Sequence, residues 1–230
     1  MSLVRHLPMI RWHGERAEAA TIALDTLVIA GWTGRDRAAV DHHIHELAAI
    51  GVKPPTTIPC YYHAAADLLS AATDLQFLGP DSSGEVEFVM VSLPDGLWIG
   101  LGSDHTDRKV EAFSVPVSKQ LCHKPLAPQL WRFDDVAPHW DRLELRAHIT
   151  ENGVRKLYQE GTVAQMREPA DLIGHYAKGD RLAPGTAMFG GTFAAIGGVR
   201  PAGEFHMALT DPVLGRTIAH SYRIHPLPIE

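Results

Sequence analysis

The stretch Gly84–Arg108, GEVEFVMVSLPDGLWIGLGSDHTDR, constrains this chain more than any other. Two apolar runs flank Pro94, Asp95 and Gly96. Runs of this kind bounded by turn residues read as strands, and Pro-Asp-Gly reads as the turn of a hairpin. The first strand also carries Glu85 and Glu87. Residues i and i+2 of a strand face the same way, so the two carboxylates point together. Like charges this close repel, and burying them unpaired is costly. A solvated edge strand relieves both problems, but Phe88, Val89, Met90 and Val91 argue for an internal strand. The other relief is a hard divalent cation, which takes oxygen ligands in octahedral geometry. Asp104 follows the second run, behind the small residues Gly102 and Ser103, and a returning strand can bring it to the same end. Two Glu and one Asp make a three-carboxylate site suited to Mg²⁺ or Mn²⁺, with positions left for water and substrate.

Composition narrows the class. A chain of 230 residues fits one domain, or one domain with a small N-terminal appendage. The net charge of -6 and the lack of any basic block argue against a nucleic-acid partner. The N-terminal apolar run is broken by His6, Pro8, Arg11 and His13, unlike a signal peptide. No apolar run approaches the roughly 18 residues that span a membrane, so no membrane partner is expected. Cys60 and Cys122 imply no disulfide framework, and a reducing, cytoplasmic setting is the expectation. The 14 histidines are scattered, and most read as surface residues. His63, His123 and the two cysteines read as structural, because none has triad spacing.

The rest of the chain reads as α+β, strongly β in its second half. The opening segment reads as short strands. In RDRAAVDHHIHELAAIG, Ala39, Val40, Ile44, Leu47 and Ile50 can share one helix side, with Gly51 as C-cap and prolines beyond. ENG at 151–153 is a turn signal, and EPADLIGHYAKG predicts a short helix. AMFGG, EFHMAL and RTIAHSYRI read as strands. A zinc site on HHIHE is the weaker reading, since the H-E-x-x-H pattern and a third ligand are missing.

Six segments, in order, resemble the fumarylacetoacetate hydrolase family, including its small acylpyruvase members. GEVEFVMV is similar to the family's E-x-E metal strand, and GSDHTDR to the segment with its third ligand. VSKQLCHKPLAP resembles the lysine segment and places that lysine at Lys119. ENGVRKLYQEGTVAQMREPADLIGHY resembles the N-G, Q-x-G-x-T, M and helix stretch. LAPGTAMFGGTFAAIGG resembles the P-G-D to T-G-T stretch, with Thr192 as the final threonine. PAGEFHMAL and GRTIAHSYRI resemble the closing strands. Near the N-terminus, GRDRAAVDHHIHEL offers His43 and Glu46 at the H-x-x-E spacing of the family's lid. The chain departs from the family in a shorter gap between Glu87 and Asp104, in Arg108 standing four residues after Asp104, and in Thr186 at the P-G-D aspartate.

The resemblance implies a predominantly β fold, a β-roll of mixed sheets with a small N-terminal α/β lid region. It divides the chain into an N-terminal segment with lid helix, residues 1–58, and a catalytic domain, residues 59–230. It implies a homodimer that binds Mg²⁺ or Mn²⁺, with Ca²⁺ also in range, at Glu85, Glu87 and Asp104. The implied activity is hydrolysis of a C–C bond in a 1,3-dioxo (2-oxo acid) substrate. His43, oriented by Glu46, would activate water, and Lys119 would face the developing charge. Thr192, Gly191, Arg35 and Arg108 would contact the substrate. Decarboxylation, hydration or isomerisation of a related oxo acid is the alternative on the same fold, as is an oxo-acid-binding member without turnover. His105 would point away from Asp104 if that segment is a strand.

Overall fold

The computed structural model describes residues 4–38, 40–42, 44 and 55–230. Its strands run in chain order as β1 (Arg5–His13), β2 (Arg16–Leu24), β3 (Thr26–Gly31), β4 (Cys60–Ala64), β5 (Leu69–Ser70), β6 (Asp74–Leu78), β7 (Ser82–Ser83), β8 (Val86–Leu93) and β9 (Gly96–Ser103). Then come β10 (Thr106–Asp107), β11 (Lys124–Pro125), β12 (Gln129–Arg132), β13 (Glu144–Glu151), β14 (Val154–Thr162), β15 (Thr186–Phe189), β16 (Glu204–Asp211) and β17 (Arg216–Leu227). Helices are few and short; the longest with settled bounds is Pro169–Ala177, where EPADLIGHYAKG predicts one. The opening segment is not a set of short strands. β1 and β2 form one hairpin of two nine-residue strands turning at Gly14, whose φ of +58° suits glycine.

Eight strands form a mixed sheet in the order β2-β1-β12-β9-β8-β15-β3-β4, and five form a second in the order β14-β13-β16-β17-β6. β8 and β9 lie at the centre of the first sheet, and every residue of β8 is buried. Alternation explains this. Val86, Phe88 and Met90 join one hydrophobic cluster, and Val89, Val91 and Leu93 join another. β3 and β15 are split the same way, with Val28 and Met188 on one side and Leu27, Ile29 and Phe189 on the other. The first cluster is closed by the inward faces of the five-stranded sheet, through Leu145, Ala147, Phe205, Met207 and Leu209. The second joins Leu7, Met9, Ile22 and Leu24 of β1 and β2 to Leu27 and Ile29 near the opposite edge, so the large sheet curls on itself.

The turn signals hold. The β8–β9 register ends at Leu93 opposite Gly96, leaving Pro94 and Asp95 as the turn. Asn152 and Gly153 both take positive φ, 51° and 76°, between β13 and β14, as a two-residue hairpin turn matched to strand twist requires. No helix among the described residues is long and apolar enough to cross a membrane.

Candidate metal centre

The β8–β9 hairpin builds the centre by register alone. Val86 pairs with Ser103 and Glu87 with Gly102, so the next step sets Glu85 against Asp104. The Asp104 N–H donates to the Glu85 carbonyl at 3.0 Å, extending the ladder past the strand ends. One ligand oxygen from each of Glu85, Glu87 and Asp104 lies within 4.8 Å of the others, the only such acid, His or Cys group among the described residues.

The three carboxylates have different surroundings. Glu87 is only 2% exposed. Its Oε2 accepts from the Gly191 N–H at 2.6 Å. Burial, then the charges of Asp104 and Glu85, push its acid well above the usual carboxylate range. Asp104 is equally buried, but two ammonium groups meet it. Lys119 Nζ donates to its Oδ2, and Lys124 Nζ stands 2.9 Å from its Oδ1. Burial works against the Asp104 charge, yet Lys119 and Lys124 outweigh it and hold the acid below its ordinary value. Glu85 is part-exposed and is met by Arg108 Nη2 at 3.1 Å. Arg108 Nη1 also reaches Glu111 at 2.8 Å, and its Nε donates to Ser83 at 2.7 Å.

Each cation is placed by a different element. Arg108 opens a short helix, Arg108–Glu111, capped by the Asp107 carboxylate accepting from the Val110 N–H. Lys119 lies on the helix Val115–Gln120, where burial opposes its charge but Asp104 and Glu85 keep its proton on. Lys124 lies on β11, which runs parallel to β5 and is tied to β9 by the Ala127 N–H to Leu101 carbonyl bond of 2.8 Å. Burial and the charge of Lys119 pull Lys124 below its ordinary value.

The donor set fits a hard divalent cation. Three carboxylates converge, and Glu87 has one hydrogen bond and two like charges beside it in a water-poor site. The trio opens onto a cavity of about 1160 Å³ that Lys119, Arg108 and Gly191 also line.

The other expected residues fall as follows. Gly191 has a φ of +101°, and a Cβ there would stand 1.7 Å from Thr33 Oγ1, so only glycine fits. The Thr192 hydroxyl donates to the Val86 carbonyl at 2.7 Å and accepts from Gln159 Nε2 at 2.8 Å. Arg35 lines the cavity, but its guanidinium is bidentate to Asp141 at 2.8 and 2.7 Å. His43 and Glu46 lie outside the described residues. His105 turns away from the carboxylates, with Nδ1 on Tyr222 and Nε2 on Ser82, both at 2.9 Å, and its ring stacked on Phe77. Burial and nearby cations hold it well below its ordinary pKa, hence neutral.

Two residues were not foreseen. Lys124 is fully buried, and its one signal was a lysine inside the apolar run CHKPLAP. Gln159 grips the β8 start through Oε1 to the Val86 N–H at 2.9 Å while its Nε2 holds Thr192 and the Phe193 carbonyl. It is the glutamine of the Q-x-G-x-T segment.

A family model described as a protein of unknown function (DUF2848) matches residues 30–222. No curated protein matches the chain. Among solved structures, Cg1458 with an inhibitor superposes with a TM-score of 0.67 at 14% identity, over 94% of this chain and 82% of that one. A 2-keto-3-deoxyarabinonate dehydratase gives 0.64 at 13% identity, over 94% and 86%. A 2-keto-3-deoxy-D-arabinonate dehydratase complexed with magnesium and 2,5-dioxopentanoate gives 0.58 at 17% identity, over 88% and 73%. At identities of 13 to 17%, these likenesses show that the chain shares the fold of those structures.

Proposed function

The chain belongs to the DUF2848 family, and from that premise we propose that it is a divalent-metal-dependent enzyme acting on a 2-oxo acid, with hydrolysis of a C–C bond in a 1,3-dioxo substrate as the leading reaction. The observation that carries this is the convergence of Glu85, Glu87 and Asp104 within 4.8 Å, beside Lys119 on the cavity wall. A Mg²⁺ or Mn²⁺ ion held there would supply Lewis-acid charge to the oxygens of a 2-oxo acid.

The chain's own groups supply the rest. Lys119 keeps its proton, so it acts as a fixed cation where enolate charge develops and not as a base. Arg108 orients the Glu85 carboxylate, and the Gly191 N–H orients Glu87. Breaking a C–C bond between two carbonyls needs an activated water at the distal carbonyl; we assign that task to His43 with Glu46. The Thr192 hydroxyl is bonded within the fold, so its segment contributes by shaping the cavity floor. Arg35 contacts substrate only by leaving Asp141.

Dehydration is the second reading, favoured by the neighbours described as dehydratases, one of them complexed with magnesium and a dioxo acid. It shares the enolate: a proton leaves the carbon beside the oxo group, and a hydroxyl leaves the next one. It needs a base but no water attack.

The test is turnover by metal-stripped protein, with and without Mg²⁺ or Mn²⁺, on acylpyruvates, fumarylpyruvate, oxaloacetate and 2-keto-3-deoxyaldonates. Metal-restored turnover lost in Glu85→Ala supports the centre. Loss of hydrolysis in His43→Ala supports the base assignment. Metal-dependent turnover of the deoxyaldonates alone selects dehydration. Absence of turnover together with absence of metal binding by calorimetry would sink the enzyme reading.

A further inference from the structure

The cavity holds far more than an oxo-acid head. Its volume of about 1160 Å³ lies just above the range of cavities that enclose a drug-sized ligand. A head the size of pyruvate fills a small part of it. Around the carboxylates the wall turns apolar, with Trp32, Val40, Ala112, Val115, Ala164 and Val199. These residues come from separate segments that are fastened together. Residues 33–35 are tied to 165–167 by the Arg35 N–H to Gln165 carbonyl bond and the Arg167 N–H to Thr33 carbonyl bond, both 2.8 Å.

The polar groups of that wall are mostly committed within the protein. Arg35 holds Asp141, Thr192 holds Val86 and Gln159, and the Asp36 Oδ1 accepts from the Ala38 N–H at 2.9 Å. Glu111 holds Arg108. Tyr62 is bonded to Cys60, so among the described lining residues the Thr33 and Gln165 side chains are left to serve a ligand. A polyhydroxylated chain entering this space would give up its water partners for too few replacements. An alkyl or aryl chain gains by entering it.

We infer that the substrate is a 2-oxo acid with an apolar acyl or aryl tail, and that the wall of Trp32, Val40, Ala112, Val115, Ala164 and Val199 selects it over sugar-derived oxo acids. The inference rests on the oxo-acid reading of the carboxylate centre, and the test separates the two.

Calorimetric titration of the Mg²⁺-loaded protein uses three probes: oxalate, a head without a tail; straight-chain 2-oxo acids from 2-oxobutanoate to 2-oxooctanoate; and 2-oxogluconate. The expected result is binding of oxalate, about fourfold tighter binding per added methylene along the series, and 2-oxogluconate no tighter than 2-oxobutanoate. Val115→Asp should weaken 2-oxooctanoate by about tenfold or more while changing 2-oxobutanoate much less. Flat affinity along the series, or tightest binding of 2-oxogluconate, with oxalate still bound, overturns the tail and leaves the oxo-acid reading standing. Failure of oxalate to bind Mg²⁺-loaded protein removes the oxo-acid reading, and the tail with it.

Discussion

β8 and β16 are both eight residues long and both lie inside a sheet, yet β8 is buried at every position whereas β16 alternates between buried and half-buried. β8 is covered on both faces by separate hydrophobic clusters. β16 presents Phe205, Met207 and Leu209 to one of them and turns Glu204, His206 and Thr210 outward. The difference decides what a glutamate means on each strand. Glu204 is 39% exposed in its side chain and accepts from Thr150 Oγ1 at 2.9 Å, an ordinary surface contact. Glu87 is 2% exposed, beside the buried Asp104 and the part-exposed Glu85. A glutamate is a surface residue on β16 and a buried charge on β8, because of the two only β8 is covered on both sides.

That contrast breaks most severely at Phe88. Its ring packs edge-on against Trp140 at 5.0 Å between centroids and fills the space that a side chain at Gly190 would need. Phe88→Ala should lose about 3–5 kcal/mol in urea unfolding, and a loss under about 1 kcal/mol would mean that β8 is not doubly packed.

Next in size is Lys124→Met, which leaves Asp104 with Lys119 alone in a buried site. Metal-free protein should lose about 3 kcal/mol. The rise in Tm on adding Mg²⁺ should exceed that of the parent, since the cation then meets a more negative site. An unchanged Mg²⁺ response would show that Lys124 does not share the field of the carboxylates.

Glu87→Gln should act in the opposite direction, gaining about 1–2 kcal/mol without metal and losing the Mg²⁺-induced rise in Tm. The pH dependence sharpens this. The Glu87 acid is raised in the folded state, so the fold binds a proton that the unfolded chain releases. Stability of the metal-free parent therefore falls as pH rises from the ordinary carboxylate range through the raised value of Glu87. The glutamine cannot titrate, and its denaturation midpoint should lack that decline. A parallel pH profile for the two proteins would contradict the assignment.

The smallest effect belongs to Glu204→Gln, at about 0.5 kcal/mol or less, with the Mg²⁺ response intact. A large effect there would erase the distinction between the two strands.

The sequence by itself determined the hairpin and the carboxylate trio. Strand period and a two-residue turn are local properties, and together they set Glu85 and Glu87 side by side and Asp104 opposite Glu85. It also marked the alternating strands of the second sheet and the turn at Asn152 and Gly153. Tertiary structure decided what surrounds the trio. Gly191 reaches Glu87 across 104 residues, and Arg35 spends its guanidinium on Asp141 across 106. Lys124 is buried against Asp104 because β11 pairs with β5, far back along the chain. Neither the hydrophobic period nor the turn chemistry encodes such pairings, because they exist only when the large sheet has curled and closed both of its faces.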